Sequence, residues 1–142
     1  MSKLRAVMDT NVLYSAFRSN LGASFEIVRR LRAGEWTLLL SNTVVTEYEE
    51  ILHREIDGLD LDKAEIGPLL DDLCRLAERH SRLEPRAPML PDPDDEAFAQ
   101  LAAAAAADAL ITHNLIHYEP ARSHGIRVMT PHQFLAKFRS NV

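Results

Sequence analysis

Short apolar runs, each stopped by an acid or a small polar residue and each followed by helical spacing, recur along this chain of 142 residues. That alternation is the strongest constraint on its fold. Ala6-Val7-Met8 closes the first run, which ends at Asp9. Phe25, Val28 and Leu31 then recur at three-residue steps, with Ile27 four before Leu31; Ser24 suits an N-cap and Gly34 a stop. Residues 36–40 read as a second strand, too short and too evenly apolar for an exposed hairpin arm. Asn42 or Thr43 caps a helix running to about residue 53. Asp62-Lys63-Ala64-Glu65 has the spacing of a capping box, and Gly67-Pro68 offers a later start for a helix reaching about residue 80. Pro85, Pro88, Pro91 and Pro93 make the next stretch a loop. An alanine-rich helix over 94–107 precedes a strand around 109–112. Residues 127–129 form the last strand, and Thr130-Pro131 opens a terminal helix through Phe138.

Strands alternating with helices imply an α/β fold with a central twisted parallel sheet covered by helices on both faces. No repeat and no long linker divides the chain, so a single domain over 1–142 is expected. Hydrophobic residues at 46% and charged residues at 26% describe an ordinary globular protein. No apolar run approaches the ~18 residues of a membrane span, and no charged-then-apolar leader opens the sequence. A lone cysteine, Cys74, lies in a helical stretch and reads as a buried thiol; together these features favour the cytoplasm. The net charge of −5, without a basic tract, argues against a protein held to nucleic acid mainly by a cationic surface. A nuclease survives that test, because clustered catalytic carboxylates themselves lower the net charge.

Ligands of open parallel sheets bind beyond the carboxyl ends of the strands. Asp9 follows the first strand, with Thr10 and Asn11 behind it; Thr112 and Asn114 close or follow the strand near residue 109. Glu47 lies early in the helix after the second strand, and Asp92, Asp94, Asp95 and Glu96 cluster where the alanine-rich helix begins. Carboxylates gathered that closely repel one another unless a cation joins them. Mg²⁺ or Mn²⁺ meets that need, preferring oxygen ligands and activating water. Structural roles compete at each position. Asp9 would serve an Asx turn, Asp94 and Asp95 a helix start, Asp92 the proline-rich turn, and Asp108 the turn after the helix. Glu47 and Glu49 flank the apolar arc of their helix equally, so spacing does not choose between them. Glu50 and Glu96 point to solvent.

Five segments, in order, resemble the PIN-domain family: Val7-Met8-Asp9-Thr10-Asn11-Val12-Leu13, Thr46-Glu47-Tyr48, Asp92-Pro93-Asp94-Asp95-Glu96-Ala97-Phe98, Ala107-Asp108-Ala109-Leu110-Ile111-Thr112 and Thr130-Pro131-His132-Gln133-Phe134-Leu135. The last is similar to the ending of a prokaryotic branch, the VapC-like toxins of toxin–antitoxin modules. The resemblance implies a Mg²⁺- or Mn²⁺-dependent endoribonuclease acting on single-stranded RNA and leaving a 5′-phosphate and a 3′-hydroxyl. It makes Asp9, Glu47 and Asp95 the catalytic acids and, with Asn114, the metal ligands, supported by Asn11, Asp92, Asp108 and Thr112. It also implies a cognate antitoxin partner and a homodimer. Many members carry aspartate where this chain has Asn114. A neutral amide there leaves one carboxylate fewer, which weakens ion binding or limits it to one ion.

The rival from another class is a catalytically weak PIN scaffold that binds RNA or a protein partner. A phosphohydrolase opening on Asp-x-Asp is disfavoured by Asn11, and dinucleotide binding by the lack of G-x-G-x-x-G. His113 and His117 are four apart, but no third ligand joins them for zinc. Arg18, Arg29, Arg30 and Arg122 are the candidate phosphate contacts, each also an ordinary surface residue.

Overall fold

The computed structural model describes residues 3–139. β1 (Arg5–Met8) leads into α1 (Thr10–Arg18) and α2 (Ala23–Arg32). β2 (Thr37–Leu40) follows, then α3 (Asn42–Arg54), α4 (Lys63–Leu76) and β3 (Glu78–Arg79). The second half runs through α5 (Pro93–Ala104), β4 (Ala109–Ile111), α6 (Glu119–Arg122), β5 (Val128–Met129) and α7 (Pro131–Arg139). A 3₁₀ turn over Leu115–Tyr118 separates β4 from α6.

The strands form one parallel sheet in the order β3-β2-β1-β4-β5. Consecutive residues of a strand face opposite sides, yet Ala6 to Met8, Leu38 to Leu40 and Ala109 to Ile111 are all buried. Both faces are therefore covered, as the even apolar runs require. The chain starts at the centre of the sheet, winds outward through β2 and β3, and returns to the other side of β1 as β4. Right-handed crossovers put α1 to α4 on one face and α5 and α6 on the other. Trp36 ties two helices of the first layer together: its indole N–H donates to the Ile27 carbonyl at 2.9 Å, and its ring meets Phe134 of α7 edge-on.

Several elements depart from the sequence reading. Residues 10–18 form a helix that the reading left unassigned, carried by buried Val12, Leu13 and Ala16. Gly22, at φ +100°, is the N-cap of α2, and Ser24 lies inside it, 3.0 Å from His113 Nε2. Ser41, not Asn42 or Thr43, caps α3, accepting the Val44 amide at 3.2 Å. Glu65 accepts the Asp62 amide at 2.8 Å, so α4 starts at the earlier of its two candidate sites and carries Pro68 within it. That helix ends at Leu76 because the chain turns extended at Ala77, and β3 then joins the sheet edge beside β2. Cys74 is half-buried against the core. Glu96 does not face solvent: it accepts the Met89 and Leu90 amides at 2.7 and 2.9 Å and fastens the proline-rich loop to α5. No helix among the described residues is long and apolar enough to cross a membrane.

Candidate active site

The sheet changes winding direction between β1 and β4, where open parallel sheets leave a crevice at their carboxyl ends. Asp9 is the first residue beyond β1, and its amide donates to the Ile111 carbonyl at 2.9 Å, extending the pairing by one residue. It occupies the N-cap position of α1, but its carboxylate makes no capping bond to the helix. Instead Asp9 Oδ2 accepts the Thr112 hydroxyl at 2.8 Å. Thr112 is fully buried, and its Oγ1 also accepts the Asn114 amide at 3.0 Å. Asn11 Oδ1 accepts the His113 amide at 3.3 Å. The two turns beyond β1 and β4 are thus latched together around one buried carboxylate.

Asp95 comes from the first turn of α5. Its Oδ1 accepts the hydroxyl of buried Tyr118 at 3.4 Å, whereas its Oδ2 is buried without a hydrogen-bond partner. The His117 ring lies beside Oδ2, with Nδ1 at 3.6 Å, beyond hydrogen-bond length. Glu47 is carried by α3, which is pinned to the site by its neighbour: the buried Tyr48 hydroxyl donates to the Met8 carbonyl, one residue before Asp9. Glu47 borders the cleft and Glu49 does not; Glu50, though exposed, borders it as well. The cleft has a volume of about 480 Å³ and is walled by Asp9, Asn11, Glu47, Asp95 and Asn114 among others.

All three acids hold protons more tightly than usual. Burial raises Asp9 to about 6, with the Thr112 hydrogen bond opposing and the Asp95 charge adding. Burial also raises Asp95, helped by Asp92, with His117 opposing. Glu47 is raised by burial and then by Asp94 and Glu50, against the pull of Arg54. The charge of Asp95 thus acts on Asp9, and the charge of Asp94 acts on both Asp95 and Glu47. Among the described residues, no three side chains of His, Cys, Asp or Glu are grouped closely enough to hold an ion by themselves. The donor set still fits a hard divalent ion that keeps part of its water, because one buried carboxylate oxygen lacks a partner and like charges crowd the cleft.

Two of the expected supporting residues lie elsewhere. Asp108 precedes β4, so it sits at the opposite edge of the sheet, a strand length away; it accepts the Arg5 amide at 2.8 Å and serves structure there. Asp92 caps α5, accepting the Asp94 amide at 2.9 Å, and reaches the site only through its charge on Asp95. Of the candidate phosphate contacts, Arg29 and Arg30 hold Glu26, and Arg122 holds Glu119 and the Val128 carbonyl. Tyr118, Tyr14 and Arg54 escaped the sequence reading, which has no periodic signal for a side chain that meets the acids only through folding.

A family model described as "PIN domain" matches residues 5–115. No protein among those of curated function matches the chain. Among solved structures, the chain is similar to VapBC2 from Rickettsia felis, solved bound to a DNA fragment from its promoter. The identity is 14%, the TM-score 0.59, and the match covers 89% of this chain and 98% of the other. It is also similar to a PilT N-terminus domain protein from Sulfolobus solfataricus P2, with 17% identity, a TM-score of 0.49, and coverage of 94% and 92%. At such identities the likeness is one of fold. The family match is broader in kind: it spans most of the chain and takes in Asp9, Glu47, Asp95 and Asn114, and on that ground the chain belongs to the PIN domain family.

Proposed function

We propose that this protein is a Mg²⁺- or Mn²⁺-dependent endoribonuclease and the toxin of a toxin–antitoxin module. The observation that carries the reading is Asp95 Oδ2, a buried carboxylate oxygen with no hydrogen-bond partner, whose charge acts on the buried carboxylate of Asp9. Such a pair is costly unless a cation offsets it. Asp9 and Asp95 would hold the ion, with the neutral oxygen of Asn114 beside them and Glu47 reaching it through water. Bound there, the ion would supply a nucleophilic water at neutral pH and would neutralise charge on the phosphate. The chain's own groups do the rest. Thr112 fixes the orientation of Asp9, and Tyr118 that of Asp95. Glu47, with its raised proton affinity, accepts a proton at its carboxylate from the attacking water.

The family and the likeness to a VapBC2 chain support a toxin role with an antitoxin partner; an antitoxin segment blocking the cleft, a homodimer and a cytoplasmic setting belong to the proposal as what the family resemblance implies. Labelled single-stranded RNA should be cut in Mn²⁺ to leave 5′-phosphate ends, and Asp9→Asn or Glu47→Gln should each slow cutting about a hundredfold or more. Cutting that survives both substitutions refutes the assignment. Expression should arrest growth, with relief from the product of an adjacent antitoxin gene.

The scaffold reading is favoured by one observation, that no three ligand side chains are closely grouped among the described residues. It expects calorimetry to find no Mn²⁺ site of millimolar affinity or better. The ribonuclease reading expects one.

A further inference from the structure

The cleft has the wrong charge for a polyanion. Asp9, Glu47, Glu50, Glu55, Asp94 and Asp95 border it, and Arg54 is the one arginine or lysine among the described residues that does. RNA entering there needs attraction from somewhere, and its source is a short stretch of α1 and α3. Asn11, Tyr14 and Arg18 share one face of α1 at helical spacing, and Glu47, Ile51 and Arg54 share one face of α3. The two helices pack together, and Asn11, Tyr14, Glu47, Ile51 and Arg54 all border the cleft. Along each face the side chains pass from the acids to a ring or aliphatic group and then to a guanidinium, over about 10 Å of helix.

We propose that Tyr14, Arg18 and Arg54 form a nucleotide subsite beside the acids, Tyr14 stacking one unpaired RNA base and the two guanidiniums contacting the flanking phosphates. The proposal rests on the ribonuclease reading for the identity of the polymer. Tyr14 is half-buried, whereas Phe98, the other ring on the cleft, belongs to the core. The Arg18 guanidinium lies over the Tyr14 ring, 5.6 Å from its centre, which steadies the ring and places positive charge beside it. Arg54 meets Glu55 only at 3.7 Å, with its side chain 67% exposed, so exchanging that partner for a phosphate costs little. Its charge already acts on Glu47, which sets it within reach of the acids. A tyrosine face with cations beside it accepts any base that is free of a duplex and none that is stacked within one.

The test is fluorescence anisotropy of a labelled single-stranded oligoribonucleotide with the full chain, at low salt in EDTA so that nothing is cut. A 2-aminopurine base in the same strand reports stacking. Tyr14→Leu should weaken binding about tenfold and restore the 2-aminopurine signal, while Tyr14→Phe keeps both within about twofold of the unaltered protein. Arg54→Gln should weaken binding and reduce the slope of log K against log salt by about 0.7. Arg75→Gln, on α4 and away from the cleft, should change nothing. Unaltered binding in Tyr14→Leu, equal loss in Tyr14→Phe, equal loss in Arg75→Gln, or no binding by the unaltered chain each overturns the subsite. RNA cut in Mn²⁺ equally well by Tyr14→Leu overturns the subsite and leaves the ribonuclease standing. RNA held through Tyr14 but never cut does the reverse.

Discussion

Asp9 shows what the site costs the molecule. Its carboxylate is buried, and its proton affinity in the folded chain lies at about 6 against 3.8 for the free group. Between those two values the folded state binds more protons than the unfolded state, so stability falls as pH rises through that window and is level on either side. The fall amounts to about 3 kcal/mol. Asp9→Asn keeps an acceptor for Thr112 and removes the charge. Urea unfolding without metal should therefore find the variant equal to the unaltered protein near pH 4 and more stable at pH 7, though inactive. A variant less stable at pH 7 would contradict this reading of the site. Thr112→Val should do the opposite, costing about 1–3 kcal/mol and pushing Asp9 further up, because the Thr112 hydrogen bond holds it down. Proton competition also sets metal affinity, which should rise with pH through about 6. At this scale the sequence was legible where an acid ends a strand, as Asp9 does. It was not legible at Tyr118, whose hydroxyl meets Asp95 across the fold, or at Tyr14, which borders the cleft only once α1 packs against α3.

At the scale of elements, the helices that carry the acids are held at their ends. Ser41 caps α3, and Ser41→Ala should cost about 1 kcal/mol in thermal unfolding while loosening the helix that carries Glu47. Glu96 binds two loop amides ahead of α5, so Glu96→Ala should speed hydrogen exchange at Met89 and Leu90. Unchanged exchange there would mean that the loop is held by something else. β1, β2, β4 and β5, α2, α3 and the terminal helix could be read from apolar spacing, to within a residue or two. Three elements could not, among them the single turn of α6. α1 follows β1 with no intervening turn and with Asp9 diverted from its capping role, so it lacks an opening signal. β3 is two polar residues at a sheet edge, held by backbone pairing to β2 and not by an apolar face. Asp108 was legible in its structural role alone: it precedes β4, which in a parallel sheet sets it at the edge opposite the cleft, in the turn after α5.

For the whole molecule, the order β3-β2-β1-β4-β5 brings Asp9 and Thr112 side by side although they are more than a hundred residues apart in sequence. The same order leaves a crevice bordered by six acids in a chain whose net charge is already −5. An ion bound only by the folded state stabilises it by mass action. Mn²⁺ at about a hundred times its Kd should add about 3 kcal/mol, a rise in melting temperature on the order of 5–10 °C. Asp95→Asn should abolish most of that rise while lifting the metal-free melting point at pH 7, because a buried charge and its repulsion of Asp9 are both removed.

The most direct measurement is anomalous diffraction at the manganese edge from crystals soaked in MnCl₂. A peak between the carboxylates of Asp9 and Asp95, with Glu47 and Asn114 turned toward its water, is the expected result. Maps with no manganese there, or with manganese bound only at other surfaces, would contradict the account.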